Sequence, residues 1–300
     1  MSRFILENIS ILGFYDPVSS LTHYLAALGV VIGSYFLIAR GRGNKARVSA
    51  LIVFSFCQVF LFSMSGTFHL LPEGWDSKYV LKVLDHAAIW TMIAGSFTPI
   101  HVILMRGLWR WGFLAVIWTI AITGLVLKTV YFSELPYHWS IIMYLGLGWM
   151  GALSFYKVST MYGMRKAFPI ILGGALYTFG AIIEFANWPV IVQRVLGPHE
   201  LFHIFVVLGA SSHWTFVYLW ANQPVHNQIF FEVIEREAEG RFIAQARGEN
   251  LRIEAKSMRA LKRKISYVFR KRYRDKIHPE SVTLRVSKEE SIEFGREGSS

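Results

Sequence analysis

The sequence predicts an all-α membrane protein, a bundle of seven transmembrane helices followed by a basic, amphipathic helical tail. Hydrophobic residues make up 53% of the 300 positions, and charged residues only 17%. Soluble domains carry about 25% charged residues, and an apolar run of about 18 residues is long enough to cross a bilayer. Seven runs meet that length, with approximate bounds 19–39, 48–70, 82–105, 109–128, 138–156, 167–186 and 200–220.

The runs divide the chain into three parts. Residues 1–18 form a short lead-in, residues 19–222 the membrane domain, and residues 223–300 a tail of different composition. In the tail, apolar residues recur among charged ones at helical spacing, which predicts one or two amphipathic helices and then a disordered end from about His278. The apolar positions on which this rests are Ile229, Val233, Phe242, Leu251, Met258, Leu261, Ile265 and Phe269.

The net charge of +11 results from basic residues placed in short connectors and in the tail. This distribution favours anionic lipid head groups as partners, rather than nucleic acid, and follows the positive-inside rule. The first, third and fifth connectors share a membrane side with the tail, so the charges predict a cytoplasmic tail and an external N-terminus. The basic stretch 259–276 either lies on an anionic membrane surface or is a solvated, partly disordered tail; a protein partner for it is not indicated.

The single cysteine limits the available chemistry. Cys57 lies inside an apolar span and has no second cysteine in the chain to pair with. An intrachain disulfide and a thiolate metal site are therefore excluded, and any metal must be held by His, Asp, Glu or water. The N-terminus lacks the small-residue cleavage pattern of a signal peptide.

Polar residues at the ends of three spans predict a metal site. His199 and His203 begin the last span at a spacing of four, which places both imidazoles on one helix face. His69 ends the second span and Asp85 begins the third, so an up-and-down bundle brings all four side chains to one membrane face. Ionisable groups inside spans usually face the bundle interior. Three imidazoles and one water are the ligands of a catalytic zinc ion.

The neighbouring polar residues suggest roles in catalysis. Asp85 would bind a zinc-bound water as general base, or orient that water without touching the metal. Ser65 lies one helical turn before His69 and can hydrogen-bond the water or a substrate carbonyl, and His23 can line the cavity. Simpler interpretations stay open. His69 would be an interfacial histidine, Asp85 a helix cap, and Ser65 a small residue that permits tight packing.

Three motifs carry a resemblance to a known family. The segments SMSGTFHL, LDHAAIWTMIAGSFTPIH and PHELFHIFVVLGASSHW, on the second, third and seventh spans, resemble the hemolysin III branch of the progestin and adipoQ receptor family. The similarity covers about residues 16–222 and extends to the alkaline ceramidases of the wider superfamily. It implies seven helices and an intramembrane zinc held by His69, His199 and His203, with Asp85 and Ser65 at the zinc-bound water. DPVSSLTHYL is a looser match.

The resemblance leaves three functions to compare. The first is a zinc hydrolase of lipid amides, ceramide-like, or of lipid esters, in which a zinc-bound water attacks the carbonyl. The second is a non-enzymatic receptor or membrane-homeostasis protein with structural zinc. The third, a pore-forming cytolysin, finds no support in the spans, because none has a continuous polar stripe. A structural zinc normally has four protein ligands. A fourth is not evident, which favours catalysis in a bacterial inner (plasma) membrane protein.

Overall fold

The computed structural model describes residues 14–193, 195–223, 225, 228–236, 240–246, 251–272 and 281–289. The chain divides into two compact units, Met1–Val225 and His226–Ser300. Each unit has its own hydrophobic core. Most of the predicted lead-in lies outside the described residues.

The first unit is a bundle of helices that are long and apolar. Its helices are α1 (Pro17–Arg40), α2 (Lys45–Leu70), α3 (Asp76–Leu104), a short π-helix (Leu108–Gly112) that leads into α4 (Phe113–Val130), α5 (Tyr137–Trp149), α6 (Gly151–Tyr162), α7 (Met164–Ala186) and α8 (Pro198–Trp220). Within the described residues, seven helical segments are suited to cross a membrane, with α5 and α6 forming one segment. The predicted seven spans are confirmed, and the protein is a multi-pass integral membrane protein.

Local sequence signals set where several helices begin. Pro17 occupies the first turn of α1, where its missing N–H costs no hydrogen bond. The Asn44 side chain accepts a hydrogen bond from the backbone N–H of Arg47 at 3.0 Å and so caps α2. Before α8, the Glu200 carboxylate accepts from the backbone N–H of Gly197 at 2.8 Å. The starts of α1 and α8 lie at the membrane face that carries His69, and the start of α2 lies at the opposite face.

Helix α3 is the central element of the bundle. Of its 29 residues, 17 are buried, whereas α1 buries six of 24. It packs against α2 and α4, and α8 packs against α7 and α1. A buried central helix is consistent with an apolar interior that continues from one membrane face towards the other.

Glycines allow α7 and α8 to approach each other closely. A Cβ atom added at Gly173 would overlap the ring of His213, and one at Gly180 would lie 2.7 Å from Cβ of Phe205. Gly174, by contrast, faces open space, with no atom within 4 Å of the position of an added Cβ. Two of the three glycines that the sequence places in this span are therefore packing residues.

Substitution of Gly173 and Gly174 is expected to distinguish the effect of helix packing on stability from the effect of helix propensity. We expect Gly173→Ala to lower the stability of the bundle by about 1–3 kcal/mol, because the added methyl group must displace packed atoms of α8. The matched control, Gly174→Ala, adds the same methyl group without a clash and should be neutral or slightly stabilising. Thermal unfolding in detergent measures both. Equal effects of the two substitutions would contradict close packing at Gly173.

The second unit is a small sheet covered by one helix. Its elements are β1 (Gln228–Arg236), β2 (Arg241–Ala246), β3 (Arg252–Ala255), α9 (Met258–Arg272) and β4 (Ser281–Glu289). The strand order is β3-β2-β1-β4, in which β1 pairs antiparallel with β2 and parallel with β4. Leu261, Ile265 and Phe269 of α9 pack on the strands, where Phe231 and Val233 are fully buried.

The tail corrects two predictions, and the chain as a whole is not all-α. The stretch that contains Ile229 and Val233 is a strand, not an amphipathic helix. A spacing of four fits both a helix and every second residue of a strand, and the buried Phe231 between them identifies period two. The helical prediction holds for Met258–Arg272.

The predicted disordered end is also corrected in part. Ser281–Glu289 forms strand β4, which pairs with the whole of β1, for example Leu284 with Phe231. Val282, Leu284 and Val286 alternate with polar residues, which is the pattern of a strand. The remaining residues of that predicted end, 278–280 and 290–300, lie outside the described residues.

Candidate metal centre

Three histidines from two helices meet at one end of the bundle. His69 is the penultimate residue of α2, and His199 and His203 lie in the first two turns of α8. The Nε2 atom of His199 is 3.3 Å from Nε2 of His69 and 3.1 Å from Nε2 of His203. All three ligand nitrogens lie within 4.8 Å of one another. The sequence prediction that these residues come together is therefore correct.

The nitrogen positions fit a small divalent cation. Zinc binds imidazole nitrogen at about 2.0–2.1 Å, and two ligands of a tetrahedral site at that distance lie about 3.3 Å apart. The Nε2 separations of 3.1 and 3.3 Å match that value. His69 and His203 are buried, and His199 is half-buried. The three nitrogens are therefore close enough together to hold a metal ion.

Carboxylates orient two of the three rings. Nδ1 of His69 lies 3.0 Å from Oδ2 of Asp16, and Nδ1 of His199 lies 3.2 Å from Oε1 of Glu184. A carboxylate accepts hydrogen bonds, so each Nδ1 carries the proton and each Nε2 presents a lone pair to the centre. Lone pairs that converge at this distance repel one another unless a cation lies between them. Orientation of the ring by a carboxylate at Nδ1 is the arrangement that metal-binding histidines adopt.

Neither carboxylate partner is predicted from the sequence as part of the site. Asp16 stands immediately before α1, and its backbone N–H donates to the carbonyl of His69 at 2.9 Å, which ties the two helix ends together. Glu184 lies near the end of α7 and also accepts a hydrogen bond from the Tyr137 hydroxyl at 2.5 Å. The sequence signal for Glu184 was an acidic residue inside an apolar span, at the same membrane face as the histidines.

Asp85 and Ser65 lie together beside the three histidines. Both are buried, and Oδ2 of Asp85 lies 3.7 Å from Nδ1 of His86. Asp85 is not part of the three-histidine set. The alternative that Asp85 caps the third helix is wrong, because α3 begins at Asp76, more than two turns earlier. Asp85 is a buried carboxylate within α3.

His23 is the fourth histidine at this end of the bundle. It is 3% exposed, and its ring centroid lies 4.1 Å from that of His203 and 5.1 Å from that of Phe62. Neither ring nitrogen has a well-aligned hydrogen-bond partner among the described residues. His23 contacts the ring of His203, whose Nδ1 atom has no hydrogen-bond partner in the part of the chain that the structure describes. It belongs to the wall of the site.

Two other histidines, His101 and His213, have structural hydrogen bonds. His101 contacts the Ser154 hydroxyl through Nε2 at 2.8 Å and the Trp109 carbonyl through Nδ1 at 2.5 Å. His213 donates through Nε2 to the carbonyl of Ile170 at 3.1 Å. These bonds link α3 to α6 and α8 to α7.

An apolar cavity begins one helical turn below the polar centre. Leu61 precedes Ser65 by four residues, Ile89 follows Asp85 by four, and Val206 follows His203 by three; all three apolar residues line the cavity. The cavity continues between α3, α5, α6, α7 and α8, and its walls are almost entirely hydrocarbon and aromatic. Each wall position lies further from the metal-site face than its polar partner. An extended apolar ligand can therefore lie below a polar group held at the centre.

The fold and the site define the class of protein: a multi-pass helical membrane protein with a buried three-histidine centre above an apolar cavity. The profile of the family described as "Haemolysin-III related" matches residues 15–214. That match covers two thirds of the chain and includes all three histidines. The protein belongs to the haemolysin-III-related family.

Characterised relatives extend the comparison. The chain is 30% identical over 229 residues to Hemolysin-3 of Bacillus cereus, an alignment that covers 75% of this chain and 95% of the relative. It is 26% identical over 199 residues to a Hemolysin-3 homolog of Bacillus subtilis (strain 168), covering 66% and 90%. Heptahelical transmembrane protein 5 of Arabidopsis thaliana is 29% identical over 178 residues, covering 52% and 46%. The first two alignments nearly span these relatives and leave a quarter or more of this chain unmatched.

The carboxylate partners give a test of the metal centre. We expect Asp16→Asn to weaken zinc affinity about 10–100-fold, because the amide no longer fixes the proton on Nδ1 of His69. Competition with a chromophoric chelator measures the affinity. The control is Glu73→Gln, which removes an exposed carboxylate near the same end of the bundle. Unchanged affinity in Asp16→Asn would show that the carboxylate does not support the ligand.

Proposed function

We propose that this protein is a zinc-dependent hydrolase of lipid amides, ceramide-like, or of lipid esters. The observation that carries the proposal is the stacking of a polar centre directly above an apolar cavity, with Ser65, Asp85 and His203 each one turn from a wall residue. A lipid with an amide or ester at the head of an acyl chain likewise has a polar group next to an apolar chain. The carbonyl would lie at the centre and the chain in the cavity.

His69, His199 and His203 would hold the zinc ion. Bound there, zinc would supply a water of lowered pKa and polarise the substrate carbonyl. Asp16 and Glu184 keep the Nε2 lone pairs of two ligands pointed at the centre. The Tyr137 hydroxyl restrains Glu184 in turn. These contacts preorganise the centre, so that little rearrangement accompanies the reaction.

Asp85 would transfer the proton, and Ser65 would stabilise the charge that develops on the substrate carbonyl oxygen. An Asp85 carboxylate oxygen accepts the proton of the attacking water and passes it to the leaving nitrogen or oxygen. Ser65, buried one helical turn before His69, would donate to the substrate carbonyl oxygen. The apolar walls around Ile89 and Val206 exclude bulk water from the acyl chain.

Lipid hydrolysis by the full chain in nanodiscs tests the proposal. A panel of N-acyl lipids, including ceramides, and of acyl esters would be offered, and released fatty acid measured before and after removal of zinc by a chelator. We expect release that stops on chelation and returns with added zinc. A protein that holds zinc but releases nothing from any lipid of the panel would refute the hydrolase.

A second candidate is a non-enzymatic receptor or membrane-homeostasis protein. The folded unit His226–Ser300 favours it, because catalysis in the bundle does not require a separate domain. In this case zinc would tie α2 to α8 and the cavity would bind a lipid without cleaving it. The lipid panel separates the candidates, since a receptor binds a panel member and leaves it intact.

We also propose a location for the protein, the inner (plasma) membrane of a bacterium with the tail in the cytoplasm. Three connectors on the tail's side of the bundle are basic, which is the asymmetry that retains loops in the cytoplasm. Their residues are Arg40, Arg42, Lys45, Arg47, Arg106, Arg110, Lys157, Arg165 and Lys166. A reporter fused after residue 300 and active only in the cytoplasm would test this orientation.

A further inference from the structure

The helix of the tail unit has two faces of opposite character. Its apolar face is covered by the sheet: Leu261, Ile265 and Phe269 are at most 7% exposed. This face is therefore not available for insertion into a bilayer, as it would be on an isolated amphipathic helix. Any surface that α9 offers to a partner is its other face.

The outer face of α9 is strongly basic. Residues 256–274 contain nine basic residues and no acidic one. The described and exposed side chains of α9 are Arg259, Lys262, Arg263, Lys264, Ser266, Tyr267, Arg270 and Lys271, which we call the basic face. Arg259, Arg263 and Arg270 follow one another at spacings of four and seven, so their guanidinium groups lie along one line of the helix.

A surface hollow adjoins the basic face. Arg263, Lys264 and Tyr267 of α9 line it on one side, and Arg252 and Glu254 of β3 on the other. Nη2 of Arg252 donates to the Glu254 carboxylate at 2.8 Å, and Nζ of Lys264 donates to the carbonyl oxygen of Glu254 at 2.8 Å. Three cationic side chains and one carboxylate therefore line the hollow, which carries a net positive charge.

We propose that the basic face docks the tail unit on the anionic lipid surface of the bilayer in which the protein is embedded. The hollow would receive a lipid phosphate, which guanidinium groups bind through paired hydrogen bonds. Tyr267, 66% exposed among these cations, has the amphipathic ring that is favoured at head-group depth. Because no apolar face inserts, the contact is peripheral and electrostatic.

The covalent connection favours a bilayer over nucleic acid as the occupant. Seven residues separate the end of α8 at Trp220 from the start of β1 at Gln228. A connection of this length reaches at most about 30 Å, so the tail unit is always held near the membrane surface. Local lipid is then present at high effective concentration, whereas a nucleic acid must be captured from solution.

Fluorescence quenching in the full chain tests the proposal. Cys57→Ala removes the only native thiol, and Ser266→Cys places a fluorophore on the basic face, next to Arg263 and Arg270. The protein would be placed in nanodiscs whose lipid head groups carry a quencher. We expect strong quenching when phosphatidylglycerol is present and weak quenching in phosphatidylcholine alone. At an ionic strength of 1 M, where the screening length is about 3 Å, the difference should disappear.

Charge reversal gives the matched comparison. The triple variant Arg259→Glu, Arg263→Glu, Arg270→Glu should weaken docking by about a hundredfold or more. Its control, Arg236→Glu, Arg241→Glu, Arg285→Glu, changes net charge equally at exposed strand positions and should dock nearly normally. Circular dichroism would verify that both fold. Equal loss in both variants, or quenching that ignores phosphatidylglycerol, would overturn the proposal. So would binding of a labelled duplex DNA through the basic face without any quenching by lipid.

Discussion

His203→Ala is expected to reduce bound zinc from about one ion per chain to background, because it leaves two of the three nitrogens that a catalytic zinc site needs. The Nε2 atom of His203 lies 3.1 Å from that of His199, and its ring is buried between His23 and His69. Elemental analysis of the purified protein measures the ion. His138→Ala, the same substitution at an exposed histidine of α5, should retain it.

Chelation extends the same prediction to stability. An ion that binds only the folded bundle stabilises it by an amount that grows with the ratio of free ion to dissociation constant. At a thousandfold excess that amount is about 4 kcal/mol. Chelation should therefore lower the unfolding temperature of the wild type and of His138→Ala, and leave that of His203→Ala unchanged. If His203→Ala retains a full equivalent of zinc, the three-histidine assignment is wrong.

Asp85→Asn is expected to keep the metal and lose the reaction. The amide has nearly the same shape as the carboxylate and cannot accept the proton of the attacking water, so lipid hydrolysis should fall about 10²–10⁴-fold. The change should appear in kcat more than in KM, because the cavity that would hold the acyl chain is intact. Asp76→Asn, at the exposed first residue of α3, is the control and should retain wild-type turnover.

Two results would assign Asp85 differently. Loss of zinc together with activity would make Asp85 a support of the metal and not a base. Normal turnover with zinc retained would show that another group accepts the proton of the attacking water. The two measurements, zinc content and fatty-acid release, therefore need to be made on the same preparation.

The sequence predicts the bundle and the histidine triad because both depend on strong, local patterns. The length of an apolar run is sufficient to predict a transmembrane span, and histidines four residues apart share a helix face. His69 could be added because consecutive spans alternate in direction. For Asp16 and Glu184 the sequence indicates at most the membrane face, because which histidine each contacts depends on packing between separate helices: Glu184 of α7 contacts His199 of α8, and Asp16 contacts a residue 53 positions away.

The tail shows the limit of periodicity in short segments. The spacing of Ile229 and Val233 is compatible with a helix and with a strand. The charged residues that follow favour the amphipathic helix. The structure resolves the ambiguity by long-range pairing: β1 is joined on one side by β2 and on the other by β4, about 50 residues later. Parallel pairing of this kind leaves no turn signal in the sequence.

The separation of the ligands along the chain has a consequence for assembly. His69 lies in the second span, and its partners His199 and His203 lie in the last, 130 and more residues later. A polypeptide that enters the membrane from its N-terminus therefore holds one ligand through most of its synthesis and gains the other two only with its final span. If the proposed function is correct, metal binding would then require the complete bundle, because a chain interrupted before α8 contains only His69 of the three proposed ligands.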